Sequence, residues 1–383
     1  MKPKIIIVST DNRSQGIYND AINLSRALHK CGYEVLLVLD KYSHNKDFTE
    51  QSTSVYSLTH YGPYSIDVEP NPKLLSNDLL FSDILEDPCA VIQIESLNLS
   101  IAKLALNIGI RYFLLVNLEW CVYPKTTEYD CPSAIGEWIS IIREYDVICL
   151  ARSLCILRRL MSLGIDSIFI SWSVPGPIIP SHLFLRHEQL SSLPSFFFSG
   201  GNNGWMQRRG ADILASALRQ LTDSNYQSAK IYFKCNRDED LEALNLHPSS
   251  LIQPMSGFLQ RKELVSMYKS CTFFLYPSRF EGLGLSLFEA CQYGLIPIYT
   301  GGFPMDDVVG LGGIRLPARL ASMARLADFY DIEPTDVSSS IKALCDLNPN
   351  SLFDLVYEKK KSLCSHMWSC RRTFFSALTS LFD

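Results

Sequence analysis

Runs of consecutive apolar residues recur along the chain, separated by stretches whose apolar positions return every three or four residues. Near the N-terminus the pattern predicts a strand over 4–9, a polar loop over 10–16 and a helix over 17–30. Gly32 and a second strand over 34–39 follow. A strand apolar at every position is buried on both faces, and strand–helix–strand alternation calls for a parallel sheet covered by helices. Further strands at 90–94, 112–116, 146–150 and 167–170, with helical patterns between them, complete one doubly wound α/β domain over residues 1–172. Pro175, Gly176, Pro177, Pro180 and Pro194 lie among polar residues and mark a linker over 173–194. The alternation restarts with a strand at 196–199, a helix at 211–221, a strand at 230–234, a helix at 261–269 and strands at 271–276 and 295–300. This is a second doubly wound domain, over 195–365. Residues 366–383, with Trp368, Phe374 and Phe375, read as a terminal helix.

Length and composition agree with two cores: 383 residues, 47% of them apolar, are enough for two domains. A net charge of -5 provides no global field for nucleic acid or an anionic membrane, although a local basic patch is left open. No apolar run has the length of a bilayer span, and Met1-Lys2-Pro3-Lys4 leads directly into a strand without a signal-peptide pattern. The expected location is the cytoplasm. The twelve cysteines are scattered through predicted strands and helices with no Cys-x-x-Cys pair, which suits free thiols in a reducing compartment.

Candidate chemistry concentrates in residues 277–290, Pro-Ser-Arg-Phe-Glu-Gly-Leu-Gly-Leu-Ser-Leu-Phe-Glu-Ala, where the strand at 271–276 gives way to a helix over 285–293 closed by Gly294. Gly282 and Gly284 let the backbone approach a ligand closely. Free N–H groups at the helix start favour an anion such as a diphosphate, and Glu289 further along can accept hydrogen bonds from sugar hydroxyls.

This block, with Gly301-Gly302-Phe303-Pro304-Met305-Asp306-Asp307 after the next strand, resembles the signature of the retaining, nucleotide-sugar-dependent glycosyltransferases of the GT-B fold, the group 1 or family 4-like enzymes. The resemblance implies two Rossmann-like domains facing a cleft, with the terminal helix crossing back onto the first. It implies that Glu289 holds the nucleotide ribose, and that Glu281, Gly282, Leu283, Gly284 and Leu285 meet the donor sugar and its phosphates. In the stretch 199–214 the family has two cations that clamp the diphosphate. Arg209, before Gly210, matches the second, while Asn202 or Asn203 stands at the first, with Arg208 as its substitute. Phe258 and Leu259 match the segment passing the nucleotide base. The same residues also suit core packing. Asp306 and Asp307 stand near the family's acidic position after the Gly-Gly turn, or cap the next helix.

In the first domain the family's glycine-rich loop corresponds to Asp11–Gly16, where Gly16 allows a close approach to the donor and Arg13 offers a positive charge to the acceptor. The His-Asp pair that many relatives carry after the fourth strand is absent: the strand at 112–116 runs into Asn117-Leu118-Glu119-Trp120. Glu119 is the candidate to orient an acceptor hydroxyl or take its proton, Trp120 to stack on a sugar ring, and Asn117 and Glu95 to line the acceptor side. Each also reads as a strand-end polar group. None of the seven histidines falls on a motif position and no Asp-x-Asp follows a strand, so no metal and no cofactor is expected.

The resulting expectation is a retaining hexosyltransferase that takes the sugar of a nucleoside diphosphate donor, with uridine the favoured base, to a hydroxyl on a sugar, lipid-linked or other acceptor. Glu281, Glu119 and Arg209 carry the chemistry. Peripheral membrane contact is compatible with this reading. The alternatives are a phage-type DNA-modifying glucosyltransferase, disfavoured by the lack of a basic face, and a degenerate partner subunit, favoured by the missing cation. An epimerase or phosphorylase of the same fold fits less well.

Overall fold

The protein is described by a computed structural model covering residues 3–10, 16–40, 53–57, 73–75, 88–124, 128, 130–173, 178, 194–200, 208–224, 226, 228–246 and 248–382. Two compact units emerge, one of Met1–Pro175 with Arg371–Asp383 and one of Gly176–Cys370.

The first unit begins β1 (Lys4–Thr10), α1 (Gly16–Lys30) and β2 (Glu34–Asp40), as the alternation predicts. β3 (Thr53–Ser57) and β4 (Lys73–Leu75) follow. Then come β5 (Pro88–Ile94), α2 (Leu99–Asn107), β6 (Arg111–Leu115), α3 (Pro132–Glu144), β7 (Ile148–Ala151), α4 (Leu154–Ser162) and β8 (Ser167–Phe169). The sheet order is β4-β3-β2-β1-β5-β6-β7-β8. From β2 to β8 it is parallel, while β3 and β4 add an antiparallel edge that the sequence pattern did not announce. Ile5, Ile7, Val91, Ile92, Phe113 and Leu114 are buried, as a sheet covered on both faces requires.

The second unit contains β9 (Ser195–Ser199), α5 (Ala211–Asp223), β10 (Lys230–Lys234), α6 (Asp238–Ala243), β11 (Ile252–Met255), α7 (Arg261–Ser270) and β12 (Phe273–Tyr276). It continues with α8 (Leu285–Gln292), β13 (Ile296–Thr300), α9 (Met305–Val309), β14 (Ile314–Leu316), β15 (Arg319–Ala324), β16 (Ala327–Asp331) and α10 (Pro334–Cys345). Six parallel strands run in the order β11-β10-β9-β12-β13-β14, and β15 with β16 forms a separate antiparallel hairpin. Phe196 and Phe273 are register partners whose rings stack at 5.1 Å, so the middle of the sheet is sealed by aromatic side chains.

The last helix, α11 (Pro349–Ser380), is 32 residues long and begins well before residue 366. Leu352 and Val356 join the core of the second unit. In the first unit Phe374 packs edge-on against Trp172 at 5.3 Å, and Phe382 against Tyr33 at 5.1 Å.

In each sheet the chain order reverses beside its first strand, between β1 and β5 and between β9 and β12. Ligands of open α/β sheets bind outside the carboxyl ends of the strands at such reversals. Among the described residues no helix is long and apolar enough to cross a membrane. The cysteines described with side chains are free thiols, and burial pushes Cys149 and Cys235 up to about 12.

Candidate functional site

The second-unit cluster is assembled by three pieces of backbone at the β9/β12 reversal: the turn 208–210 before α5, the loop from Pro277 to Gly284, and the start of α8. Gly210 caps α5 with φ 72°, and a Cβ there would stand 2.0 Å from the Pro277 carbonyl oxygen. Only glycine serves at this point, because it meets both the positive φ and the close backbone approach. Turn and loop are further joined by the Arg279 N–H donating to the Arg208 carbonyl at 2.8 Å and by a two-pronged ion pair of Arg279 with Asp212 at 2.7–2.8 Å. Gly284, φ 84°, opens α8 in the same left-handed conformation.

Glu281 is 2% exposed and lies at the centre of the cluster. Arg208 Nη2 donates to its Oε2 at 2.6 Å, while the hydroxyls of Tyr276 and Ser278 donate to Oε1 at 2.6 and 2.9 Å. Arg209 Nε lies 3.6 Å from the same Oε1. Burial alone would push the carboxyl up. Arg208 and Arg209, together with the two hydroxyls, outweigh it and hold the group down at about 2. Arg208 is fixed again through Nε to the Phe280 carbonyl at 3.1 Å and by its guanidinium over the Phe280 ring at 4.9 Å. Arg209 Nη1 donates to the Tyr276 hydroxyl at 2.9 Å and to Ser286 Oγ at the start of α8. Two arginines are thereby pre-oriented beside a helix N-terminus, an arrangement suited to an anion of more than one charge.

Of the other expected donor-side residues, Gly282 and Leu283 are buried beside Glu281, and Leu285 and Glu289 are half-buried on α8. Phe258, in the connection from β11 to α7, is 77% exposed and so outside the core, with Leu259 half-buried after it. Asp306 receives Arg315 Nε at 3.1 Å and the Tyr299 hydroxyl at 3.0 Å; Pro304, not either aspartate, caps α9. Asn202 and Asn203 lie outside the described residues.

The first unit has a cluster of its own at the carboxyl ends of β5, β6 and β7. Glu95 follows β5 with φ 60°, unusual for a residue other than glycine, and is 4% exposed. Its Oε1 accepts from Arg152 Nη2 at 2.9 Å and from Asn117 Nδ2 at 3.1 Å. Arg152, wholly buried after β7, also pairs with Asp20 on α1, donates from Nε to the Val116 carbonyl at 3.2 Å and lies over the Trp172 ring at 5.3 Å. Asn117 uses Oδ1 to accept the Glu119 N–H at 3.1 Å, which starts the short 3-10 turn Leu118–Trp120. Glu119 is buried and Trp120 half-buried. Gly16 opens α1, while Arg13 lies outside the described residues. The sequence reading thus missed Asp20, Arg152, Tyr276, Ser278 and Ser286. A signal was available for Arg152, since a lone arginine directly after a buried strand stands at the ligand edge of the sheet.

Among the described residues no group of three or more His, Cys, Asp or Glu side chains could hold a metal ion. Residues 208–320 match the family model "Glycosyl transferases group 1", less than a third of the chain but the part that holds the second-unit cluster. No curated protein matches the sequence. Similar solved structures include the sucrose-phosphate synthase of Thermosynechococcus elongatus, at 12% identity and TM-score 0.57 over 98% of this chain and 100% of that one. The catalytic domain of starch synthase IV from Arabidopsis thaliana, bound to ADP and acarbose, is similar at 12% identity and TM-score 0.60, over 100% and 99%. A third, "Trehalose-6-phosphate from E. coli bound with UDP-2-fluoro glucose", aligns at 11% identity and TM-score 0.59, over 98% and 99%. Likeness at such identities is likeness of fold. The fold is GT-B, and residues 208–320 within it match the group 1 model, in agreement with the resemblance read from residues 271–309.

Proposed function

We propose that the protein is a glycosyltransferase that moves a hexose from a nucleoside diphosphate sugar to an acceptor hydroxyl with retention at the anomeric carbon. The carrying observation is the pair Arg208 and Arg209, oriented by Glu281, Tyr276 and Ser286 at the glycine-opened start of α8. The leaving diphosphate is the group such a site stabilises, because donors held in place before the reaction act on charge as it develops. Glu289, one turn along α8, takes the ribose hydroxyls, and Gly282 to Leu285 follow the sugar and phosphates with their backbone. The presence of ADP and of UDP-2-fluoro glucose in two of the similar structures supports a nucleotide-linked donor. Uridine remains our choice of base. On the first unit Glu119, Asn117, Trp120 and Glu95 are assigned to the acceptor.

Calorimetric titration with UDP, ADP and GDP, and with their glucose conjugates, tests the reading. One of the series should bind, and Glu289→Ala should lose roughly 1.5–3 kcal/mol of that binding, the usual worth of hydrogen bonds to a charged group. A folded protein that binds none of them would overturn it.

A further inference from the structure

The hairpin of β15 and β16 belongs to neither sheet, and β15 is exposed along nearly its whole length. β16 is different. The Tyr330 N–H donates to the Arg279 carbonyl at 2.8 Å, inside the loop that leads to Glu281. Phe329 meets the ring of Phe280 at 5.7 Å, and Phe280 in turn lies under the Arg208 guanidinium. On the other side the Tyr330 hydroxyl accepts the Phe303 N–H at 3.0 Å, and its ring fills the space beside Gly302, where a Cβ would stand 2.3 Å from Cζ. Gly301 is pinned from behind by its N–H to the Leu316 carbonyl at 3.0 Å. One buried tyrosine therefore touches both loops that leave the carboxyl ends of β12 and β13.

We propose that Tyr330 is a positioning residue of the donor site, a latch by which the hairpin holds the loop 279–284 in register with the loop 301–304. The proposal rests on the donor-site reading above and adds to it a residue outside the matched family segment. The loop before Glu281 is tied on one side to the turn 208–210 and Asp212 through Arg279. The hairpin's contacts with Arg279 and Phe280 hold it from a second side directly before Glu281, and with it the two arginines that Glu281 orients. Glycine at 302 is then required by the tyrosine ring, because any side chain there would displace it.

The test uses the full chain with Tyr330→Phe, Tyr330→Ala and Gly302→Ala. Two measurements are made far below each variant's unfolding midpoint: calorimetric affinity for UDP, ADP and GDP, and amide hydrogen exchange of residues 281–285 without nucleotide. Tyr330→Phe keeps the ring and, like the other variants, the backbone bond to Arg279; it loses the hydroxyl's contacts with the Phe303 N–H and with Asp328 Oδ2, so its affinity should fall at least about fivefold, the worth of one hydrogen bond. Tyr330→Ala removes, and Gly302→Ala displaces, the ring that seats β16 against the loop 301–304; through the resulting shift of β16 both should weaken binding more than about tenfold and accelerate exchange at 281–285, with α5 and β10 exchanging as in the wild type. Wild-type exchange at 281–285 in Tyr330→Ala overturns the latch, whatever happens to the melting temperature. Accelerated exchange with unchanged affinity overturns its role at the donor site. If the wild type binds none of the three nucleotides, the donor reading itself fails, and the exchange result alone then decides the latch.

Discussion

At the scale of single residues, the second-unit cluster depends on a carboxylate whose charge is set by its neighbours. Glu281 is held at about 2, below the usual value of 4.5, by Arg208, Arg209 and two hydroxyls working against burial. A depressed folded-state value means that its contribution to stability is fully present above about pH 4.5 and is lost as pH falls toward 2. Glu281→Gln keeps the shape and removes the charge, leaving the two arginines without their counter-ion. Breaking a fully buried pair costs about 3–5 kcal/mol. The lower end applies here, since the Arg208 and Arg209 side chains keep 11% and 22% of their surface. Denaturant midpoints between pH 7 and 2.5 should show the variant less stable at neutral pH and less sensitive to acid than the wild type. Equal acid slopes would mean that the charge of Glu281 is not tied to folding. The sequence made the position of this glutamate legible through its spacing and its glycines. It could not show that Tyr276 and Ser278, apolar-run and loop residues by pattern, turn their hydroxyls onto it.

Elements carry the next level of order, and the first-unit cluster shows how. Arg152 ties together α1 through Asp20, the end of β5 through Glu95 and the exit of β6 through the Val116 carbonyl. Its guanidinium is wholly buried, so its removal strands two carboxylates in the interior. Arg152→Met should cost about 3–5 kcal/mol, and adding Asp20→Asn and Glu95→Gln should restore a good part of it, because neutral partners no longer need the cation. Urea unfolding of the single and triple variants decides this; no recovery in the triple variant would show that the packing of Arg152 on Trp172 matters more than its charge. Such a tie is hard to read from sequence. Residues 20, 95 and 152 share no spacing, and only the parallel order of β1, β5, β6 and β7 brings them to one edge. The strands themselves were legible because apolar runs such as Phe196 to Phe198 have no other stable placement. β3, β4, β11, β14 and the β15–β16 hairpin were not, since their residues mix polar and apolar without a continuous run. Five consecutive exposed positions in β15 leave no burial pattern to detect.

In the whole molecule the chain passes between the two units twice, after Pro175 and again within α11. Up to Cys370, α11 belongs to the second unit and buries Leu352, Val356, Leu363 and Met367; from Arg371 onward it belongs to the first. There Phe374 and Leu378 are buried, the Arg371 Nε donates to Ser173 Oγ at 3.2 Å, and the Tyr33 hydroxyl donates to the Thr379 carbonyl at 3.2 Å. The aromatic composition of 366–383 made a helix legible, but not its start at Pro349, which the charged stretch Glu358 to Lys361 obscures. The shared helix also separates two stabilities by position along one element. Phe374→Ala removes a ring packed on Trp172 and should cost the first unit about 3–5 kcal/mol, while Leu218→Ala in the core of the second should cost that unit about 2–5 kcal/mol. Trp120, Trp138 and Trp172 lie in the first unit and Trp205 and Trp368 in the second, so tryptophan fluorescence weights the unfolding of the first unit more heavily and far-ultraviolet dichroism reports on both. Phe374→Ala should move the fluorescence transition to lower urea and Leu218→Ala should move chiefly the remaining dichroism transition. If both variants shift one common transition by the same amount, the two units unfold as one, and α11 transmits the loss of either core to the other.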